Sequence, residues 1–387
     1  MNAGPPLLAH VFPSFEVGGS QMRTVRLIDG FGAQFQHALI SLSGRMEARE
    51  LLREPGRLQI LPAPPKSGSL RTSLALRARL RSLRPSLVLT YNFGALDGQI
   101  AARLLGLPAI HHEDGFGPDE ARARKPRRNL LRRLLLPGAR AVVVPSRLLH
   151  SIAEREWGLG PPRLTYIPNG IDLERFAPGG PQADLGRVGL VPGRPTIVAL
   201  GSLRPEKNLE RLIAAFEALP RALRAQLLIV GGGAEAQRLA ARASASPRAE
   251  AIALAGPQSD PAPWLRAAQV LALSSDTEQM PLSLVEAMAA GLPAAAMEVG
   301  DVRSMLPAEQ APYLVQKPAP GSPPEAGAEA LAAALARLLT DPDRARALGR
   351  ANLALARERY AFEGMLAAYR GLYLLHARPL REAPSRS

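Results

Sequence analysis

The stretch Val270-Leu271-Ala272-Leu273-Ser274-Ser275-Asp276-Thr277-Glu278-Gln279-Met280-Pro281-Leu282-Ser283-Leu284-Val285-Glu286-Ala287-Met288-Ala289-Ala290-Gly291-Leu292-Pro293 is one complete β/α unit. Its first four residues are apolar and bounded by polar ones, as a short parallel strand buried on both faces should be. A polar loop follows. Pro281 suits the first turn of a helix, where its missing N–H would have no partner in any case. Residues 282–290 then read as the helix, which Gly291 caps and Pro293 stops. The unit carries two carboxylates, Glu278 at the helix mouth and Glu286 about one turn inside.

The same alternation recurs along the chain. Short apolar runs fall at 7–12, 37–42, 58–61, 87–91, 108–111, 141–144 and 164–167, with amphipathic stretches such as 69–83 and 96–105 between them. A second series runs 196–200, 227–230, 251–254, 270–273, 294–297 and 313–315, with helical stretches at 209–218 and 282–290. Alternating β and α units predict an α/β fold with a doubly wound parallel sheet in each half. Between the series, residues 168–195 hold five prolines and six glycines, a density that reads as a linker. The chain therefore divides into an N-terminal domain at 1–168, a linker at 169–195 and a C-terminal domain at 196–359. Beyond 325 the pattern is helical, with segments at 331–339, 343–359 and 362–375. No repeat of solenoid spacing is present.

The 387 residues suit two domains of about 150–200 residues better than one. Hydrophobic residues make up 47% and aromatics 4%, so Leu, Val, Ile and Ala must fill both cores. The absence of cysteine excludes disulfides, thiolate metal sites and a cysteine nucleophile. Met1 to Pro13 lack the basic region and apolar run of a signal peptide. No stretch reaches the roughly 20 apolar residues of a membrane span. A cytoplasmic protein is expected.

The net charge of +14 is unevenly placed: residues 1–180 hold 25 Lys/Arg against 14 Asp/Glu, and residues 181–387 hold 23 against 20. An arginine-rich composition as such, or an anionic partner for the first half, accounts for this. Within that half, the Arg122–Arg140 region interleaves Arg122, Arg124, Lys125, Arg127, Arg128, Arg132, Arg133 and Arg140 with leucines. It reads either as a basic amphipathic helix on an anionic membrane or as a solvated helix face. Nucleic acid is not expected as a partner, because aromatic residues for base stacking are missing there.

Four motifs lie where parallel sheets place ligands, beyond the carboxyl ends of strands. Gly18-Gly19 follows the first strand and precedes a helix expected at 21–31. Such glycines let the backbone approach a ligand, and the helix N-terminus offers N–H groups to an anion. A tight turn without a ligand has the same signature, and this is not the G-x-G-x-x-G of dinucleotide sites. Gly201-Ser202-Leu203-Arg204-Pro205-Glu206-Lys207-Asn208 follows the first strand of the second series. Arg204 and Lys207 there suit a diphosphate clamp, or form a solvated basic turn. Glu278 and Glu286 suit sugar and ribose hydroxyls. A glycosidase acid pair is the rival reading, but that chemistry has no use for a phosphate-suited basic loop. His111-His112-Glu113-Asp114 ends a strand, so the two imidazoles point to opposite faces and at most one enters a site. Its spacing fits no usual zinc site, and no metal is expected.

Together these motifs resemble the family 4 retaining glycosyltransferases of the GT-B fold. The resemblance is carried by Glu278-x7-Glu286 with Ala287-Met288-Ala289-Ala290-Gly291-Leu292-Pro293. The Gly18-Gly19 turn, Ile167-Pro168-Asn169-Gly170-Ile171-Asp172 and Ile229-Val230-Gly231-Gly232-Gly233 support it. It spans nearly the whole chain. It implies two Rossmann-like domains facing across a cleft, with a helix at 360–380 crossing back to the first. It also implies a nucleotide diphosphate sugar as co-substrate, bound mainly by the second domain, the acceptor on the first, and no metal or cofactor. By the same resemblance Glu286 holds the ribose and Glu278 the donor-sugar hydroxyls. The amides around Met280, Pro281 and Leu282 meet the sugar or phosphate. Lys207 with Arg204 neutralises the leaving diphosphate, which Gly18 and Gly19 approach from the other domain. His111 contacts the transferred sugar, with His112 as the alternative. The catalytic set is thus His111, Lys207 and Glu278.

Two residues depart from the family pattern. Ser202 stands where Arg often follows the strand-end glycine, and Arg204 is the substitute charge. Asp301 stands where Gly is common after Gly300, which narrows the donor pocket. The implied function is transfer of a hexose-type sugar from a UDP- or GDP-sugar to a glycan or lipid-linked acceptor in cell-surface polysaccharide synthesis. The basic Arg122–Arg140 region would give peripheral contact at the inner face of the plasma membrane. Breaking a glycosyl–phosphate bond leaves negative charge on the diphosphate, which preorganised cations stabilise. A GT-B nucleotide-sugar epimerase and a non-catalytic sugar-nucleotide binding protein are the alternatives.

Overall fold

The computed structural model describes residues 4–65, 68–116, 120, 124–319 and 321–379. The chain forms two units: Met1–Asn169 with Glu363–Ser387, and Gly170–Phe362.

Among the described residues the first unit is built on seven parallel strands: β1 (Leu7–Phe12), β2 (Gln36–Ser41), β3 (Leu58–Ile60), β4 (Leu87–Tyr91), β5 (Ala109–His112), β6 (Ala141–Val144) and β7 (Leu164–Tyr166). They lie in the order β3-β2-β1-β4-β5-β6-β7. Helices α1 (Gly19–Phe31), α2 (Ser69–Leu83), α3 (Leu96–Leu104), α4 (Pro126–Leu135) and α5 (Arg147–Trp157) connect them. Strands β4, β5 and β6 are buried at every position, which is why their sequences run continuously apolar or carry only partnered polar groups.

The described residues of the second unit form six parallel strands: β8 (Thr196–Leu200), β9 (Gln226–Val230), β10 (Ile252–Gly256), β11 (Val270–Leu273), β12 (Ala294–Glu298) and β13 (Leu314–Gln316). Their order is β10-β9-β8-β11-β12-β13. Helices α6 (Leu173–Phe176), α7 (Leu209–Glu217), α8 (Ala236–Ser244), α9 (Ala262–Arg266), α10 (Leu282–Ala289), α11 (Val302–Met305), α12 (Ala328–Thr340) and α13 (Pro342–Arg359) complete it. The stretch read as a linker is folded onto this unit. Ile171, Phe176, Leu185 and Leu190 are buried in its core, so the prolines and glycines around them shape turns on a packed surface.

The final helix, α14 (Phe362–His376), belongs to the first unit. Tyr369 and Tyr373 on it are buried, and the Tyr373 ring lies edge-on to Phe31 and Phe35 at 5.9 and 6.3 Å. The chain enters and leaves the second unit at neighbouring points. Ile171 forms a parallel bridge with Ala361, its N–H donating to Tyr360 at 2.9 Å and its carbonyl accepting from Phe362 at 3.0 Å. Among the described residues no helix is long and apolar enough to cross a membrane.

Candidate functional site

Strand order reverses between β8 and β11 in the second sheet. Ligands of open α/β sheets bind outside the strand ends at such a switch point. The loops leaving these two strands hold Lys207 and Glu278. The Lys207 Nζ donates to Glu278 Oε1 at 2.6 Å, and the Ser275 hydroxyl donates to the same oxygen at 2.7 Å. The loops are also tied through their backbones. Asp276 N–H donates to the Glu206 carbonyl at 2.8 Å, and the Ser274 hydroxyl to the Lys207 carbonyl at 2.9 Å. A hollow beside them is lined by Gly201, Ser202, Leu203, Lys207, Ser274 and Ser275.

Two glycines make this closeness possible. A Cβ on Gly231, at the end of β9, would stand 1.8 Å from the Gly201 carbonyl oxygen. A Cβ on Gly300, which has a φ of 55°, would stand 2.2 Å from the Glu278 carbonyl oxygen. Main chain therefore presses on main chain on both sides of the corner, and only glycine fits. Asp301, the departure noted above, is buried, with its N–H donating to the Gln279 carbonyl at 3.0 Å.

Two supporting residues were not found by sequence reasoning. Asn208 caps α7, accepting from Arg211 N–H at 3.2 Å, and its amide reaches the Asp276 carboxylate at 3.3 Å. Arg211 is buried and donates to the Ser274 carbonyl at 2.7 Å while pairing with Asp276 at 2.8 Å. Asn208 carries a local signal, an N-cap residue ahead of an apolar-periodic stretch. Arg211 carries none, because its partners lie more than 60 residues away.

The remaining second-unit residues fall nearby in sequence with differing exposure. Arg204 is 56% exposed and pairs with Glu206 at 3.0 Å, and Ser202 is exposed. Met280 and Pro281 are buried, whereas Leu282 and Glu286 are half-buried. Pro281 precedes α10 as its cap residue rather than starting its first turn, and the first turn holds no acid.

In the first unit, α1 begins at Gly19, earlier than expected, with Gly18 extended before it and no acid in its first turn. The strand-end histidines are both buried. His111 is bonded to Thr90 Oγ1 at 2.9 Å and lies 3.4 Å from Glu113. A sugar contact from His111 therefore requires exchanging one of these partners for a hydroxyl. His112 stacks on Tyr91 at 4.6 Å and is bonded to the Tyr373 hydroxyl at 3.0 Å. Burial, with the Arg23 charge, holds its pKa well below the usual imidazole value. A chain of bonds continues from Tyr91 to His10 at 2.9 Å and from His10 to His37 at 3.0 Å. Burial lowers His10 as well and brings His37 down to about 4. Arg23 on α1 pairs with Asp114 and donates to Asn169 at 3.0 Å.

Arg122 lies outside the described residues; the rest of the basic region is divided. Arg132 is buried and bonded to Glu113 at 3.0 Å and Glu120 at 3.3 Å, between the rings of Phe93, Phe116 and Trp157. Burial works against the Glu120 carboxylate, but bonds from Arg132 and Arg128 hold its pKa below the usual range. Arg124 pairs with Glu156. One face of α4 is therefore neither solvated nor free for a membrane, because Glu113 and Glu120 after β5 and Glu156 on α5 meet it. Arg127, Leu130, Arg133, Leu134 and Arg140 stay exposed. Among the described residues no group of three His, Asp or Glu is placed to hold a metal ion.

Residues 17–175 match the family model for Glycosyltransferase Family 4, and residues 194–341 match that for Glycosyl transferases group 1. A D-inositol 3-phosphate glycosyltransferase of Segniliparus rotundus is 32% identical over 54% of this chain and 47% of that protein. A UDP-Gal:alpha-D-GlcNAc-diphosphoundecaprenol alpha-1,3-galactosyltransferase of Escherichia coli is 30% identical over 51% of this chain and 53% of that protein. The matched stretch thus spans about half the length of these curated relatives. Among solved structures, sucrose-phosphate synthase from Thermosynechococcus elongatus aligns with a TM-score of 0.78 at 21% identity, over 95% of this chain and 98% of that one. Anabaena HepE, solved in complex with UDP, aligns with a TM-score of 0.77 at 16% identity, over 95% and 99%. Both likenesses are to the fold.

Proposed function

We propose, for a chain that belongs to the family 4 glycosyltransferases, transfer of a hexose-type sugar with retention from a UDP- or GDP-sugar to a glycan or lipid-linked acceptor in surface-polysaccharide synthesis. The observation that carries the reading is the 2.6 Å pairing of Lys207 with Glu278 at the β8/β11 switch point. A cation for the departing diphosphate and an acceptor for sugar hydroxyls meet there on loops held by glycine contacts. Preorganised charge of this kind is the main resource for stabilising a leaving diphosphate. Glu286 would hold the ribose, the start of α10 around Met280, Pro281 and Leu282 the sugar or phosphate, and Arg204 would add charge. Gly18 and Gly19 would approach the phosphate and His111 the sugar, with no metal or cofactor taking part.

The donor reading is supported by the UDP complex of HepE, and the lipid-linked acceptor by the name of the Escherichia coli relative. Leu70 and Leu74 on α2, Leu104 on α3, and Leu130 and Leu134 on α4 are all exposed. With Arg127 and Arg133 they favour a peripheral contact with an anionic membrane. A thermal-shift screen against UDP, GDP, ADP and their sugars tests the donor, with stabilisation by one nucleotide family expected. Product analysis with and without acceptor then separates transfer from epimerisation and from binding alone. No shift with any nucleotide overturns the reading.

A further inference from the structure

We propose that Glu278 makes the site prefer a nucleoside diphosphate sugar over the free nucleoside diphosphate, by repelling the spent product. This inference rests on the donor reading above. Lys207 Nζ lies 2.6 Å from the Glu278 carboxylate, and the Ser275 hydroxyl anchors the same oxygen at 2.7 Å. A phosphate oxygen taking an N–H from Lys207 at about 2.8 Å therefore comes within roughly 5–6 Å of that carboxylate. Two anions then share one ammonium. The loops cannot relax apart without breaking hydrogen bonds, since Asp276 N–H holds the Glu206 carbonyl and the Ser274 hydroxyl holds the Lys207 carbonyl.

While the sugar is attached, the terminal phosphate is a diester with one charge, and sugar hydroxyls donate to Glu278. After transfer the terminal phosphate gains a second ionisation, carrying about −1.5 to −2 near neutral pH. The hydroxyl donors have left with the sugar. Glu278 then faces more negative charge across Lys207, with side chains only 11% and 17% exposed, where water screens poorly. Arg204 is mostly exposed and paired with Glu206, so it offsets little of the repulsion.

Titration calorimetry of the full chain with UDP, GDP and ADP first finds the nucleotide that binds. The wild-type chain is then titrated with that diphosphate and with its β-methyl ester, which lacks the extra charge and carries no sugar hydroxyls. The expected result is about tenfold tighter binding of the ester. In Glu278→Gln the free diphosphate should bind about tenfold tighter than in wild type, a gain of 1.4 kcal/mol, and the gap between the two ligands should close. A wild-type chain that prefers the free diphosphate, as a simple cationic clamp would, overturns the inference, as does a folded Gln variant that binds it no tighter. The wild-type comparison decides the matter even where the variant does not fold. Binding without the stated preference removes only this inference; binding of none of the three nucleotides removes the donor reading as well.

Discussion

Around Lys207 and Glu278 main chain presses on main chain, with the Asn208 and Arg211 side chains in support, whereas around His112 and Arg132 side chains distant in sequence do all the holding. At the first corner, a Cβ on Gly231 or Gly300 would collide with a neighbouring carbonyl oxygen, and backbone hydrogen bonds join the loops. At the second, Arg132 is shared between Glu113 and Glu120, and a row of bonded or stacked rings runs from Tyr373 to His37. The difference is one of tolerance. Backbone contacts admit no substitute, while a side-chain network can be replaced as a set.

The largest effect tests the chemistry at the first corner. Lys207→Ala should cost roughly 10²–10³ in kcat/KM for sugar transfer with little change in thermal stability. Retained activity would break the clamp assignment. Next, Arg132→Met leaves Glu113 buried without its cation and Glu120 with Arg128 alone, and should destabilise by about 3–5 kcal/mol in denaturant unfolding. Combining it with Glu113→Gln and Glu120→Gln should recover much of that loss. Gly231→Ala should cost about 2–3 kcal/mol and weaken nucleotide binding, because the Gly201 loop must move. No side-chain change should rescue it, and a successful rescue would collapse the contrast between the two corners.

A smaller effect follows pH. The folded chain keeps His10, His37 and His112 neutral, with pKa values below the unfolded value of 6.5. The unfolded chain binds more protons as pH falls, so their contribution is whole above 6.5 and declines below it, that of His37 being lost as pH drops toward about 4. His37→Phe should flatten the dependence of unfolding free energy by about 1 kcal/mol per pH unit in that window. An unchanged slope would exclude His37 as a source. Smallest, Ser202→Arg should raise kcat/KM on the order of twofold to threefold if the strand-end charge is only partly supplied by Arg204.

The same contrast explains what the sequence revealed. Among the described residues each of the thirteen strands coincides with a short apolar run, and in β4, β5 and β6, buried at every position, burial on both faces of a parallel sheet leaves that local mark. The glycine loops and the Glu278–Glu286 spacing were equally local, so the loops that carry Lys207 and Glu278 stood out in sequence, while their 2.6 Å pairing did not. Arg211, Arg23 and Arg132 were not. Their roles depend on partners at Ser274, Asp114 and Glu113, which no periodicity within one element discloses. Arg132 read as one more arginine of a membrane-facing or solvated basic stretch, because a paired and an unpaired arginine look alike in sequence. The prolines and glycines of 168–195 read as a linker, while the spaced Ile171, Phe176, Leu185 and Leu190 that dock it were too sparse to form a pattern.

The Ile171–Ala361 bridge bears on how the molecule is made. Synthesis proceeds from the N-terminus, so the ribosome emits all of 170–362 before α14 exists. The second unit can reach its finished state with its two ends already stitched side by side. The first unit must wait, its Phe31, Phe35 and His112 uncovered, until Tyr369 and Tyr373 follow the second unit out of the ribosome. An interval of exposed aromatic surface is thus written into the chain order, and a holding chaperone would find its purchase there.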